Sequence, residues 1–130
     1  MNDRYEKGLA VRKSVLGGTQ VDATVKAAES ALNEGLQQYL TEFVWGDIWS
    51  RPELSLRDRS LVTLGMLTAL NRSVELKTHI RGALNNGVRM DEIAEVFLHS
   101  AAYCGFPAAM TSLRLAKEVE AAQQPPAAAS

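Results

Sequence analysis

The stretch Asn71-Arg72-Ser73-Val74-Glu75-Leu76-Lys77-Thr78-His79-Ile80-Arg81-Gly82-Ala83-Leu84-Asn85-Asn86-Gly87 decides how the rest of the chain is read. It reads as one short helix. Asn71 and Ser73 can each accept a hydrogen bond from a free backbone N–H at its start, and Gly87 can take the left-handed conformation that ends it. At about 100° per residue, Arg72, Glu75 and His79 fall on one stripe, with Leu76, Ile80 and Ala83 on the adjoining apolar face. A carboxylate one turn before an imidazole can orient the ring and raise its pKa, so that the pair delivers a proton near neutral pH. The same spacing also describes a solvated helix face carrying an i,i+4 ion pair.

The segments on either side are helical too. Ser55-Leu56-Arg57-Asp58 makes a capping box for a helix that continues to Leu70. Its part from Leu61 to Leu70 is apolar nearly all round, which predicts burial in the core or in a subunit interface, with Gly65 and small Thr and Ala residues allowing close approach. That run is about half the length needed to span a bilayer, so it is a core helix. Downstream, Asp91 caps a further helix with Ile93, Val96, Phe97, Ser100 and Cys104 on one side and Glu92, Glu95, His99 and Tyr103 on the other. Cys104 accordingly reads as a small core residue. Gly105-Phe106-Pro107 breaks this helix, and Pro107 suits the first turn of the last one, which reaches about Ala122. Residues 123–130 are expected to form a disordered tail.

Toward the N-terminus, Asp3 can cap a peripheral helix to about Leu16, with Tyr5, Leu9, Val15 and Leu16 available for burial and Gly17-Gly18 as its stop. Asp22 opens a longer helix in which Val25, Ala28, Leu32, Leu36, Tyr39 and Phe43 form a single apolar stripe, predicted to pack along its whole length. The segment Trp45-Gly46-Asp47-Ile48-Trp49-Ser50-Arg51-Pro52-Glu53-Leu54 then breaks periodicity and holds both tryptophans. They either plug the core edge or wall a pocket in which Arg51 is a fork for a carboxylate. With no strand alternation and no internal repeat, the chain reads as all-α, about six helices in a single domain over residues 1–122.

Composition narrows the function. A chain of 130 residues with 46% hydrophobic content supports one real core. Fourteen basic against fifteen acidic side chains leave a net charge of −1, which gives no electrostatic case for nucleic acid or an anionic membrane. The single cysteine allows no intrachain disulfide framework, and Met1-Asn-Asp-Arg-Tyr-Glu-Lys has no apolar signal segment, so a cytoplasmic location is expected.

Several of these segments are specific when taken together and in order. Trp45-Gly-Asp-Ile-Trp-Ser-Arg-Pro, Arg59-Ser-Leu-Val-Thr, Asn71-Arg-Ser-Val-Glu-Leu-Lys-Thr-His, Asn85-Asn-Gly-Val and Tyr103-Cys-Gly-Phe-Pro-Ala-Ala resemble the 4-carboxymuconolactone decarboxylases, from about Tyr5 to Val119. The resemblance implies the all-helical fold shared with AhpD-type alkylhydroperoxidases, assembly as homo-oligomeric trimers or hexamers, no cofactor and no metal, and a role in protocatechuate breakdown through the β-ketoadipate pathway. In the related peroxidases a Cys-x-x-Cys-x-x-x-His motif lies on the corresponding helix. Here His79 matches its histidine, Arg72 and Glu75 stand where the cysteines would be, and Ser60 replaces the proton-relay glutamate. Disulfide-cycling peroxide reduction needs a reactive thiolate and a resolving partner, which these departures remove.

The implied substrate is a lactone dicarboxylate whose γ-carbon carries both the departing carboxylate and an acetate arm. Losing CO₂ leaves a dienolate, so the site needs an oxyanion partner, a proton donor aimed at carbon and cations for carboxylates. His79 is expected as donor or oxyanion partner, Glu75 as its orienter, and Arg72, Arg51 or Arg81 as carboxylate clamps. Trp45, Trp49, Tyr103 and Phe106 are expected as apolar walls, with His99 as a further lining residue. Two other readings are an AhpD-like peroxidase and a non-catalytic helical oligomer.

Overall fold

In the computed structural model, which describes residues 2–27 and 33–123, the helices are α1 (Asp3–Leu16), α2 (Gly18–Ala27), α3 (Glu34–Tyr39), a π-helix (Leu40–Ile48), α4 (Leu56–Ala69), α5 (Ser73–Asn85), α6 (Met90–Cys104) and α7 (Phe106–Gln123). Among the described residues there is no strand, and the expected all-α class is the one adopted. None of these helices is long and apolar enough to cross a membrane. Packing divides the chain into two compact units, Met1–Arg59 and Ser60–Ser130, with the division inside α4. Of the expected tail over residues 123–130, Gln123 is instead the last residue of α7, and the rest lies outside the described residues.

The N-terminal unit is built on a backbone-to-backbone contact. Asn2, one residue before the expected Asp3, caps α1, its Oδ1 accepting the Tyr5 N–H at 2.8 Å. The helix is not peripheral: it buries Tyr5, Gly8, Arg12 and Val15. A Cβ on Gly8 would lie 2.0 Å from the Thr41 carbonyl oxygen, and one on Gly46 2.8 Å from the Arg4 carbonyl oxygen, so only glycine permits this approach to the π-helix. Val15, Trp45 and Trp49 form the apolar core there, with the two indoles 4.8 Å apart. Two charged residues are buried beside it, each with hydrogen-bond partners. Arg12 donates to Gln37 Oε1 at 2.9 Å and Thr41 Oγ1 at 3.2 Å, and its burial lowers its pKa. Glu42 accepts from Asn2 at 3.0 Å, Gln38 at 3.2 Å and Arg4 at 3.3 Å, and the Asn2 hydrogen bond is the main cause that holds its carboxyl below the ordinary range.

The long apolar stripe expected from Asp22 to Phe43 is not formed. A helix already starts at Gly18, and Asp22 sits within it, paired with Lys13 at 3.0 Å. Leu36 and Tyr39 are each 71% exposed and Phe43 is 54% exposed, whereas Thr41, Glu42, Trp45 and Gly46 face inward. From Leu40 the π-helical turn re-aims each following side chain away from an α-helical path, and the glycine contact selects which of them meets α1. Ala28 and Leu32 lie outside the described residues.

The C-terminal unit holds the larger core, in which Leu64, Leu76, Ile80, Ala83, Val88, Ile93, Phe97, Ala116 and Val119 pack together. Within it α4 does not bury its whole circumference. Ser60, Leu64 and Thr68 point inward at i, i+4 and i+8, while Val62, Met66 and Leu70 are exposed. The buried Thr68 hydroxyl accepts from Ser112 Oγ at 3.1 Å and donates to the Leu64 carbonyl at 2.8 Å, joining α4 to α7 without an unmet polar group. Lys77 and Glu118, 3.1 Å apart, join α5 to α7 at the surface. The cap of α6 is not Asp91. Glu92 instead reaches back to accept the Arg89 N–H at 3.0 Å. Gly105, at φ +91°, ends α6, and Pro107 lies in the first turn of α7 as expected. Cys104 is exposed and not a core residue, because α6 ends at it and Gly105 turns the chain away before the inner stripe could use that position.

Candidate active site

The elements that present the expected chemistry are the ends and faces of α5. Its start differs from expectation: Asn71 takes a left-handed φ of 56°, and no side chain caps the helix. Backbone bonds mark the junction, the Arg72 N–H donating to the Leu67 carbonyl at 3.1 Å at the end of α4 and the Arg72 carbonyl accepting the Leu76 N–H at 2.8 Å as the first helical bond of α5. The end matches expectation. Gly87, at φ +89°, donates to the Leu84 carbonyl at 3.1 Å and Val88 to that of Ala83 at 2.9 Å, a Schellman closure that brings Val88 into the core. Leu76, Ile80 and Ala83 are buried on the predicted face, which fixes the rotation of the helix and hence the aim of its polar stripe.

On that stripe Glu75 is exposed and His79 half-buried one turn later. The electrostatics reverse one expectation. The imidazole pKa is lowered from 6.5 to about 4, chiefly because burial disfavours the cation, and the opposing pull of Glu75 is the smaller effect. Glu75 therefore acts on His79 in the predicted direction and loses to desolvation. At neutral pH the ring is uncharged, able to donate one N–H to a developing oxyanion or to accept a proton, and it is not a standing imidazolium acid. Arg72 at the helix start is exposed and Arg81 half-buried; neither is ion-paired among the described residues. Both guanidinium groups are available for an anion.

A second histidine lies in a cleft of about 730 Å³, between Leu61, Val62, Gly65 and Met66 of α4 and Glu95, Val96 and His99 of α6. The His99 ring is 5.2 Å from that of Tyr103. Among the described residues lining this cleft, Asp91, Glu92 and Glu95 stand against a single cation, Arg89, which is held by Asp91 at 3.1 Å and Glu92 at 3.5 Å. Such a rim disfavours a dicarboxylate. Tyr103, 81% exposed, and Phe106, 67% exposed, stand at the α6–α7 corner open to solvent. In the N-terminal unit Trp45 is fully enclosed in the core, Trp49 is both core and cleft wall, and Arg51 lies exposed on the following loop.

One contact escaped sequence reasoning. Asn86 Nδ2 donates to the fully buried Ser60 Oγ at 2.9 Å, tying the C-terminus of α5 to the inner stripe of α4. The Asn-Asn-Gly run signals only a helix stop, and nothing in it names the distant serine. Among the described residues no three His, Cys, Asp or Glu side chains gather as a metal-ligand set.

Comparison with known proteins bears on this arrangement. The family model for the carboxymuconolactone decarboxylase family matches residues 34–118. The chain is 43% identical over 121 residues to 4-carboxymuconolactone decarboxylase of Acinetobacter baylyi, covering 92% of this chain and 90% of that protein. It is also 41% identical over 109 residues to nitrosuccinic acid decarboxylase npaB of Metarhizium robertsii, covering 84% of this chain and 76% of that protein.

Proposed function

This chain belongs to the carboxymuconolactone decarboxylase family, and from that premise we propose that it is a carboxy-lyase converting 4-carboxymuconolactone to β-ketoadipate enol-lactone without a cofactor, in the cytoplasmic breakdown of protocatechuate. The observation that carries the reading is similarity to a decarboxylase of that name across nine-tenths of both chains. The substrate supplies its own electron sink. As the bond from the γ-carbon to the carboxylate breaks, its electron pair moves through the ring double bond onto the lactone oxygen, CO₂ leaves, and one proton is then taken up at the α-carbon. In the proposed site the neutral His79 donates to the lactone oxygen as charge develops there, Glu75 orients the ring, and Arg72 and Arg81 hold carboxylates. A bound dianion also draws a proton toward His79, the opposite of what burial does in the free protein.

The npaB similarity favours a second substrate reading, because the two named substrates share a pattern. Nitrosuccinic acid also has a carbon that carries the departing carboxylate, a carboxymethyl arm and an electron sink ending in oxygen. A site built to stabilise oxygen-centred charge beside two carboxylates suits either compound. Thiol-based peroxide reduction has less support, since the sequence has a single cysteine and no resolving partner.

We propose in addition that the protein works as a homo-oligomer, a trimer or hexamer. Val62 and Met66 on α4, Leu70 just beyond its end and Val74 on α5 are exposed apolar side chains that a second copy of the chain would cover. A stable, active monomer by light scattering at micromolar concentration would overturn that part. The activity is tested by mixing purified protein with 4-carboxymuconolactone and, separately, with nitrosuccinate. Loss of lactone absorbance, CO₂ release and deuterium at the α-carbon of the product in D₂O are expected. Turnover of nitrosuccinate alone would replace the lactone reading, and turnover of neither would defeat both.

A further inference from the structure

The N-terminal unit has a cleft of its own, about 510 Å³, within the ordinary range of roughly 300–1,000 Å³ for small-molecule sites. Its walls are mostly apolar: Val11 from α1, Trp49, Pro52 and Leu54 from the loop, and Leu56 at the start of α4. Arg51 is the one charged residue among the described residues that line it. The guanidinium lies 3.7 Å from Glu53, with both side chains more than half exposed, a surface pair of small net strength that a better-placed carboxylate can displace. The walls are held in place before any ligand arrives. Trp49 is 6% exposed and packed against Trp45, the Arg51 carbonyl accepts from Arg59 Nη2 at 3.1 Å, and Ser55 Oγ accepts the Asp58 N–H at 3.0 Å. A fixed apolar slot with one accessible cation matches a compact organic acid, whose carboxylate meets the fork of Arg51 while its body covers the Trp49 wall.

We propose that this cleft is a binding site for an amphipathic carboxylate, with Arg51 as the anion partner and Trp49, Leu54 and Leu56 as the apolar seat. The proposal rests on the N-terminal unit alone, so it is tested without turnover and stands apart from the lactone reading. Both tryptophans of the chain lie in this unit, which makes indole emission a local reporter. The intact protein is titrated with benzoate and with its neutral isostere benzamide. Benzoate should change the emission saturably, and benzamide should bind about tenfold or more weakly, the scale of one charge-assisted hydrogen bond. Arg51→Gln should bring benzoate down to the level of benzamide, Arg51→Lys should restore part of the difference, and Leu54→Glu should abolish benzoate binding with circular dichroism unchanged. No emission change with benzoate, equal affinity for the two probes, or wild-type affinity in Arg51→Gln would each overturn the site.

Discussion

Replacing His79 by glutamine removes a titrating group without removing a polar side chain, and the effect on stability can be worked from the lowered pKa of the imidazole. In the unfolded chain the ring titrates near 6.5, whereas in the fold burial brings it to about 4. Between those values the unfolded state binds more protons than the folded one, so the protein loses stability as pH falls through that window and has the full contribution above it. From neutral pH to about 4.5 the loss comes to about 2.5 kcal/mol, a ceiling because the ring is partly solvated. Urea unfolding followed by circular dichroism, at one fixed protein concentration and at both pH values, measures it for wild type and for His79→Gln. Glu42 and Asp47, held below the ordinary carboxylate range chiefly by hydrogen bonds from Asn2 and Arg4 respectively, lose their contributions only at lower pH and do so in both proteins. The variant should therefore lack most of the wild-type loss. Parallel losses in the two proteins across this window would show that burial does not hold His79 neutral.

On activity, His79→Ala should lower kcat by roughly 10² to 10³, the range for removal of one oxyanion donor, and Glu75→Gln should lower it less. The double variant should be little worse than His79→Ala alone, and additive losses in steady-state kinetics would show two independent contacts instead of a pair. Cys104→Ser should retain most activity and stability, because the thiol is exposed and no step uses it; a loss of kcat beyond about a hundredfold would contradict this. Gly8→Ala should destabilise the N-terminal unit by about 3 kcal/mol or more, since the new methyl meets the Thr41 carbonyl at 2.0 Å, and an unchanged thermal midpoint would mean that the contact yields easily.

What could be read in advance depended on whether a signal is local. The apolar face of α5, its closure at Gly87 and the break at Gly105 follow from spacing and from backbone freedom, and all three are formed. The π-helix left no such mark, because a wider turn uses the same residues as an ordinary helix; within it Phe43 is exposed while Thr41, Glu42, Trp45 and Gly46 face inward. Gly8 and Gly46 looked unremarkable or disruptive in sequence, since their function is to admit a neighbour that is distant along the chain. The imidazole and Glu75 were legible as a pair, but how deeply the ring is buried was not, and burial decides the direction of its pKa.

The π-helix also bears on how this segment can vary in length. On an α-helical path, one residue more or fewer rotates everything downstream by about 100°. The segment from Leu40 to Ile48 is not on that path: an i→i+5 turn holds one residue more than an α turn, so a single deletion there changes which side chains meet α1 while leaving the surrounding composition almost unchanged. A one-residue alignment gap here is for that reason a change of architecture, and a relative that has one should not be assumed to present the same cleft.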